Sequence, residues 1–419
     1  MKLQPFFRFL SLLLFILSSC EQAEKSRSYQ LVRSDQTLAF TLDDKTKNVT
    51  PFLSYYRDKK GKEYIVLQSY SMQSRSNKFY FYDKDSQELA FKIEPEIEGS
   101  NGVGRVLGCY IQDWDSLYLT SLFEPEIIRI NKDCQILEKI NYEEANDGTR
   151  LYNSSFLSFR TATLIGRDLY IYSDPNRLIE KDYVSATINL DTKEIRALPF
   201  VYPDYPGSSV KLKRYGLEGS YSRSFDGQRF VYSFIYDESV YVANIAHDSI
   251  RKVSVKSEYI DQVQLPDELT AQAIDFCQNA MYGDLIYDPF REVFYRIAYP
   301  STTIEKGVKT MELIEYGRKT FSIIILDKEL NKLGETLFPN YTYNSRQLLV
   351  LPDGLYICNS HFMNPNFNDD ILSFIRFDLV SRYGRRQMNT VYQHITANTD
   401  KPYSRGFPNR YSIDKAKHP

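Results

Sequence analysis

The sequence predicts an all-β protein: a six-bladed β-propeller of four-stranded antiparallel blades, closed by an N-terminal strand in the last blade. Three observations lead to this prediction. One strand-and-turn unit recurs six times, its strands are short and rich in aromatic and β-branched residues, and an unassigned strand precedes the first unit. Aromatic residues make up 15% of the chain, with 34 tyrosines and one tryptophan, and this bias favours strands over helices.

The recurring unit consists of a strand entering a turn, a short aromatic strand, a variable loop, a third strand ending in an Asp- or Asn-containing turn, and a fourth strand. In the second unit these strands are RVLGCYIQDWD, SLYLTS, EIIRIN and QILEKI. The second strand recurs from Glu63, Ser116, Asp168, Gln228, Glu292 and Gly354. These starts lie roughly 50 to 65 residues apart, slightly above the usual blade length. An array of two β-sandwich domains is the alternative, but it gives no reason for one unit to recur so evenly.

Ring closure provides a separate test of the propeller, because an open sheet edge promotes aggregation and propellers usually close by mixing strands from both termini. The sixth unit has three clear strands and lacks a convincing fourth. At the other end of the chain, QTLAFTLD (36–43) precedes the first unit and resembles QELAFKIE (87–94), the fourth strand of that unit. We therefore predict that residues 37–43 form the outer strand of the last blade.

The first residues have the pattern of an export signal. Lys2 and Arg8 supply positive charge, residues 9–17 form an apolar run too short to span a bilayer, and Leu-Ser-Ser-Cys follows. Small residues before a cysteine suit a lipoprotein signal peptidase, so we predict a signal peptide at 1–19, lipidation of Cys20 and a polar tether at 20–28. The alternative is an ordinary secretory signal that ends near a cysteine.

The rest of the chain is assigned to the propeller, at 29–383, and to a polar C-terminal tail, at 384–419. The 52 basic and 54 acidic residues nearly balance, which gives no electrostatic footprint for nucleic acid. Four cysteines remain beyond Cys20, with no framework spacing, so buried free thiols are preferred to a disulfide: Cys109, Cys134, Cys277 and Cys358.

Loop lengths distinguish the two faces of the predicted propeller. The turns between third and fourth strands are uniformly short, whereas the loops between second and third strands expand in four units, at 70–77, 174–183, 299–319 and 361–370. Because functional residues concentrate on variable loops held by a rigid scaffold, the long-loop side is the candidate binding face. Tolerated insertions are the alternative explanation.

Catalytic, cofactor and metal signatures yield no assignment. The histidines, His247, His361, His394 and His418, have no second ligand at zinc-like spacing. His361 opens a loop rich in Asn and Asp, which we interpret as a solvated polar loop rather than a calcium site. Tyrosines at alternate strand positions, such as Tyr80 and Tyr82 or Tyr170 and Tyr172, are expected to fill the cores between blades. Trp114 is expected to pack at a turn.

The lipobox, the YxL-type segment at 29–31 followed by LAFTLD, and the repeated DSLYLTS-type units together resemble an uncharacterised lipoprotein family of Bacteroidetes, a domain of unknown function. The resemblance spans nearly the whole mature chain. It implies a six-bladed propeller lipoprotein, and it provides no catalytic residues.

Three functions remain open. The favoured one is a non-enzymatic binding module on the cell envelope, lipid-anchored and expected at the outer membrane, whose long-loop face contacts a carbohydrate, a peptide or an envelope protein. The alternative is a glycan-active hydrolase or lyase with paired channel carboxylates as acid and base. A structural scaffold is the third, and it predicts no pocket.

Overall fold

Six four-stranded antiparallel sheets form the protein in a computed structural model. The structure describes residues 28–173, 183–203, 221–264 and 273–382. The compact unit that contains the sheets comprises Tyr29–Ser381. This architecture confirms the six-bladed propeller and excludes the two-sandwich alternative, since each sheet is one recurring unit.

The strands follow the predicted units closely. The chain begins with β1 (Ser28–Thr41). The first two blades are β2 (Leu53–Arg57), β3 (Glu63–Ser69), β4 (Lys78–Asp83), β5 (Leu89–Ile93), and β6 (Val106–Asp113), β7 (Ser116–Ser121), β8 (Glu126–Ile130), β9 (Ile136–Asn141). The next two are β10 (Thr163–Ile165), β11 (Asp168–Tyr172), β12 (Ser185–Asn189), β13 (Ile195–Ala197), and β14 (Tyr221–Phe225), β15 (Phe230–Phe234), β16 (Ser239–Ala243), β17 (Ile250–Ser254).

Blade 5 and the first three strands of blade 6 complete the ring. They are β18 (Met281–Asp288), β19 (Val293–Tyr299), β20 (Ser322–Leu326), β21 (Lys332–Leu337), and β22 (Asn344–Leu351), β23 (Gly354–Cys358), β24 (Ile371–Arg382). Two short helices lie in connections, α1 (Ala273–Gln278) between blades 4 and 5 and α2 (Thr310–Tyr316) between β19 and β20. Every predicted second strand starts within two residues of the observed one.

The burial of each strand explains its composition. The second and third strands of a blade are almost continuously buried, as in β19 and β20, because both of their faces pack against neighbouring blades. The outer strands are largely exposed, as in β5 and β17. Short runs of Val, Ile, Phe and Tyr therefore mark the middle of each blade, and the alternation typical of a one-sided sheet is weak there.

The closing strand is confirmed, with different bounds from those predicted. The sheet order of blade 6 is β1-β24-β23-β22, so β1 is its outer strand, and Leu42 N donates to Asp370 O at 2.9 Å where β1 ends. The strand begins nine residues earlier than residue 37, at Ser28. The twelve residues of β24 give this longer strand a partner. Near its start, β1 also reaches blade 5, where Leu31 N donates to Thr336 Oγ1 at 2.9 Å.

Tyrosines fill the spaces between blades, as expected. Tyr80 and Tyr82 are 1% and 2% exposed and lie at the junction of blades 1 and 6, where Tyr82 Oη donates to Thr41 O at 2.8 Å. Tyr170 and Tyr172 are likewise buried, between blades 3 and 4. Trp114 packs at a turn, as predicted, with its ring centroid 4.9 Å from that of Tyr56 on blade 1. The aromatic surface buried between blades contributes to the stability of the ring.

Buried arginines join blades as well. Arg296 of β19 is fully buried, and its guanidinium donates to the backbone oxygens of Asp237 and Glu238 at 2.6 Å each and stacks on Tyr282. Burial lowers its pKa to about 10, which leaves it charged at neutral pH. Arg223 of β14 binds blade 3 in the same manner, through the backbone oxygens of Ile171 and Tyr170.

Several predictions concern residues outside the described ranges. These are the signal peptide at 1–19, Cys20 and its tether up to residue 27, most of the 174–183 loop, the tail at 384–419, and the histidines His394 and His418. Among the described residues, no helix is long and apolar enough to cross a bilayer.

Candidate cavities on the long-loop face

The loops between second and third strands and the connections between blades meet on one side of the ring, which we call the long-loop face. Three of the expanded loops are seen there, between β3 and β4, β19 and β20, and β23 and β24. The connection carrying α1 lies on the same side. In the described part of the chain, the opposite side carries the turns between first and second and between third and fourth strands, which are short.

A cavity of about 800 Å³ opens on the long-loop face, where the inner strands of the blades begin. We call it the mouth cavity. Its wall combines apolar side chains such as Leu107, Phe159 and Ile314 with polar ones such as Thr50 and Gln347. Four cations and two carboxylates line it, namely Lys45, Lys47, Arg160, Arg346, Asp284 and Glu315. The excess of two positive charges favours anionic groups inside it.

The Asp284 side chain is presented to the cavity by an irregularity of strand β18. The pairing of β18 with β19 shifts between Tyr282 and Leu285, which is a β-bulge. Gly283 lies in this bulge, and a Cβ there would come within 2.8 Å of the Tyr299 ring. Serines of blade 4 hold the bulge from the side, since Ser222 Oγ accepts from Leu285 N at 2.7 Å and Ser233 Oγ donates to Gly283 O at 3.0 Å.

Asp284 differs electrostatically from the other carboxylate of the mouth cavity. Protein surrounds Asp284 on most sides although part of it faces the cavity, and this burial raises its pKa, opposed by the charges of Arg160 and Arg346. Its carboxylate has no hydrogen bond within the part of the chain that the structure describes. Glu315 is half exposed and pairs with Lys47 at 3.0 Å. The two carboxylates therefore have different charged neighbours.

A second cavity of about 330 Å³ lies beside the first, between blades 4 and 5 and against helices α1 and α2. We call it the helix-covered cavity. Its wall is mainly apolar and aromatic, with Phe276 of α1, Leu313 of α2 and Met281 of β18 among its members. It shares Arg160, Asp284, Ile314 and Arg346 with the mouth cavity, so the two cavities are neighbours with a common charged wall.

Arg318 is the most buried charged residue of the helix-covered cavity. It is 6% exposed, its Nη2 donates to Asn279 O at 2.8 Å, and its guanidinium carbon lies 4.8 Å from the centroid of the Tyr299 ring. Its Nε and Nη1 have no hydrogen-bond partner among the residues that the structure describes. Burial lowers its pKa to about 10. An unpaired buried guanidinium is costly, and an anion beside it would lower that cost.

Polar contacts between loops hold this side of the long-loop face together. His361 Nε2 donates to Gly317 O at 3.1 Å, and its Nδ1 accepts from Met363 N at 3.1 Å, so the ring is neutral and joins the 361–370 loop to the end of α2. Burial lowers the pKa of His361 to about 4. Asn48 Nδ2 donates to Asn368 O at 3.0 Å, which fastens the same loop to the connection that leads into blade 1.

Large apolar side chains stand exposed on the loops of this face. Tyr70, Met72, Phe123, Met311 and Met363 are between 39% and 65% exposed, and all five lie in loops between second and third strands. By contrast, Ile245 and Phe290 are the exposed large apolar residues of the short-turn side among those described. Methionine is flexible and polarisable, which suits a contact surface that adapts to a partner.

The residues weighed from the sequence have structural roles. His247 is buried in the turn before β17, where Tyr232 Oη donates to its Nε2 and its Nδ1 donates to Ile245 O. In the 361–370 loop, Asn364 bonds the backbone oxygens of Thr342 and Asn359. All four cysteines seen are free thiols, and Cys134 is half-buried whereas the others are buried. No cluster of three or more His, Cys, Asp or Glu suited to a metal occurs within the described ranges.

Sequence reasoning missed the charged wall that the two cavities share. The inner-strand residues Asp284 and Arg346 and the loop residue Arg318 are far apart along the chain, and no local motif connects them. One signal was present, because a glycine followed by an aspartate interrupts the apolar run MYGDLIYD and such a glycine often marks a bulge.

Comparison with known proteins places the chain in a family. The profile described as domain of unknown function DUF4221 matches residues 28–337, which is most of the chain. The chain belongs to the DUF4221 family. This confirms the family resemblance seen in the sequence. No curated protein is similar to it in sequence.

Solved structures agree with this DUF4221 fold. A crystal structure of a DUF4221 family member from Bacteroides vulgatus superposes with a TM-score of 0.73, at 23% identity, over 85% of this chain and 100% of the other. A second crystal structure is that of a protein from Bacteroides fragilis described as a proposed exported protein. It superposes with a TM-score of 0.50, at 11% identity, over 84% of this chain and 95% of the other. At these identities the likeness concerns the fold of the DUF4221 propeller and not its ligand.

Proposed function

We propose that this DUF4221 chain is a non-enzymatic binding module of the bacterial cell envelope, lipid-anchored through Cys20, whose ligand enters the mouth cavity of the long-loop face. The ligand is a carbohydrate, a peptide or a segment of an envelope protein. The observation that carries the proposal is the mouth cavity itself, because a concave site of about 800 Å³ with a few polar groups in an apolar wall is typical of ligand binding.

The rim of the cavity supports a binding role. Tyr70 and Met72 belong to the loop after β3 and Met311 to the loop after β19, and all three line the mouth cavity or its edge with exposed apolar surface. Contacts such as Lys47 with Glu315 and Arg346 with the backbone oxygen of Ile314 hold the loops in place before any ligand arrives. A preformed site loses less conformational entropy on binding than a disordered one.

The charged groups favour binding over hydrolysis. A glycosidase needs two carboxylates facing one bond, about 5 to 10 Å apart. The groups that influence the pKa of Asp284 are Arg160 and Arg346, and Glu315 is engaged with Lys47. This arrangement suits the recognition of an anionic group, and no observation favours the alternative of a glycan-active hydrolase or lyase.

The course of β1 suits an anchored module. The strand ends at the long-loop face, where Leu42 meets Asp370, and its first residues lie at the outer rim, where Tyr29 crosses Gly334 near the short turn of blade 5. A lipid on Cys20 would therefore join the propeller at the end of β1 that is far from the long-loop face. Such an attachment leaves the two cavities free to meet a partner.

The test is a triple substitution of the rim, Tyr70→Ala, Met72→Ala and Met311→Ala, in the full chain. Binding is measured on arrays of defined carbohydrates and peptides, followed by calorimetry on each ligand found. We expect the triple variant to bind at least tenfold more weakly than the unchanged chain, since removal of exposed apolar anchors reduces contact area.

The matched control removes three leucines of similar exposure from outer strands, Leu89→Ala, Leu137→Ala and Leu337→Ala. It should retain the affinity of the unchanged chain. Equal affinity in the rim variant and the control, or no array ligand for the unchanged chain, would overturn the proposal.

A further inference from the structure

The helix-covered cavity has the size and composition of a small-molecule site. Its volume of about 330 Å³ is at the lower end of the range for such sites, which is roughly 300 to 1,000 Å³. It lies where β14 and β18 begin, and α1 and α2 pack against each other beside it. The Sγ of Cys277 in α1 donates to Thr310 O of α2 at 3.5 Å, which joins the two helices.

The apolar part of the wall comes from three elements. Phe276 comes from α1, Leu313 and Ile314 from α2, and Met281 from the start of β18. Leu313 and Met281 are 0% and 5% exposed, so these side chains are held firmly by their neighbours. A saccharide would leave its hydroxyl groups unsatisfied against such a surface, whereas a hydrocarbon or aromatic group would fit it.

The charged part of the wall is rich in arginine. Among the lining residues that the structure describes, Arg160, Arg318 and Arg346 are positively charged and Asp284 is the carboxylate. Arg346 is exposed to the cavity and uses only its Nη1, which donates to Ile314 O at 2.7 Å. Its Nε and Nη2 have no partner within the described residues. These two nitrogens form the edge of a guanidinium that binds both oxygens of a carboxylate.

We propose that the helix-covered cavity binds an apolar monocarboxylate, with its carboxylate on the Nε and Nη2 edge of Arg346 and its hydrocarbon or aromatic body against Phe276, Met281 and Leu313. This inference rests on the proposed binding function and names the ligand class of one subsite of the same face. The charge of Arg318 adds to the attraction. A monocarboxylate with an apolar body suits the site better than a phosphate, because phosphate has no apolar part to contact Phe276, Met281 and Leu313.

The experiment measures binding to the full chain by calorimetry. The probes are n-octanoate and 4-phenylbutyrate, with octanamide as the uncharged analogue and inorganic phosphate as an anion without an apolar body. We expect both carboxylates to bind, and octanamide and phosphate to bind at least tenfold more weakly. Binding of octanamide or phosphate as tight as that of octanoate would overturn the assignment, as would failure of both carboxylates to bind.

Three variants localise the site. Arg346→Gln should weaken the binding of octanoate at least tenfold. The control is Arg251→Gln, since Arg251 is exposed on outer strand β17, and it should leave octanoate binding unchanged. Asp284→Asn removes a repulsive charge without changing shape, so octanoate should bind several-fold more tightly. If Asp284→Asn instead bound octanoate more weakly, the Asp284 carboxylate would contribute to ligand binding rather than oppose it. That result would overturn the proposal.

The outcomes separate this inference from the proposed function. If array ligands require the rim residues but octanoate and 4-phenylbutyrate do not bind, the binding module stands and the carboxylate subsite is wrong. If the carboxylates bind through Arg346 while the rim substitutions have no effect, the subsite stands and the mouth cavity is not the entry for the ligand.

Discussion

At the scale of single residues, several buried polar side chains of this propeller serve structure, either as neutral rings or through bonds to backbone oxygens. His247 and His361 each donate one ring hydrogen to a backbone oxygen and accept at the other nitrogen, which requires the neutral ring. Arg296, in contrast, remains charged because several backbone oxygens surround it. The sequence alone could not show what these histidines bond.

Acid should weaken the fold through these histidines. Burial lowers the pKa of His247 and of His361 to about 4, against an ordinary value of 6.5. Below pH 6.5 the histidines of the unfolded chain become protonated, whereas those of the folded chain do so only near pH 4. The stabilising contribution of each neutral ring is therefore fully present above pH 6.5 and is lost as the pH falls toward 4. At pH 4.5 we expect a loss of about 2 kcal/mol for each ring.

The measurement is the free energy of unfolding in urea at pH 7 and pH 4.5. His361→Gln should lose about 2 kcal/mol less than the unchanged chain over this interval, because glutamine cannot be protonated. Carboxylates titrate equally in both proteins, so the difference isolates the histidine. Equal losses in the two proteins would contradict the expected effect.

At the scale of elements, strand β1 decides whether the ring is closed. Phe40 in this strand is fully buried, with its ring centroid 5.1 Å from that of Tyr82 on blade 1 and 6.3 Å from that of Phe374 on β24. The strand therefore contributes both an outer edge for blade 6 and a core between blades 6 and 1. Its resemblance to the outer strand of blade 1 made it recognisable in the sequence.

Removal of the Phe40 ring should weaken the closure strongly. Phe40→Ala leaves a cavity in a close-packed core, and we expect it to lower the free energy of unfolding by about 3 to 5 kcal/mol. The control is Phe123→Ala, since Phe123 is 62% exposed on the long-loop face, and its effect should stay within about 0.5 kcal/mol. Urea unfolding of both variants measures the difference. A loss for Phe40→Ala as small as that of the control would show that β1 does not seal the ring.

At the scale of the whole molecule, the ring separates the start of β1 from the two cavities. The first residues of β1 lie at the outer rim near the short turn of blade 5, and both cavities open on the long-loop face. Closed propellers place all loops between second and third strands on one side, whatever their individual sequences. The position of the proposed binding surface therefore follows from the order of strands, and its chemistry follows from the loops and from inner-strand residues such as Asp284 and Arg346.

The anchor is tested by labelling cells with radioactive palmitate. We expect the unchanged chain to carry label and to remain with the membrane fraction, and Cys20→Ala to lose the label and leave that fraction, because two or more acyl chains are needed for firm attachment. Cys134→Ala, at a half-buried cysteine of the propeller, should keep the label. Undiminished label on Cys20→Ala would refute lipidation at this residue.

Taken alone, the sequence determined the number of blades, the positions of their middle strands and the strand that closes the ring. These features depend on local patterns, since short apolar runs between turn residues are visible wherever both faces of a strand are buried. Only the tertiary structure decided that Asp284, Arg318 and Arg346 share the wall of one cavity, and that a bulge at Gly283 presents the carboxylate to it. Those contacts join residues from a strand, a loop and the next blade, and their spacing along the chain carries no periodic signal.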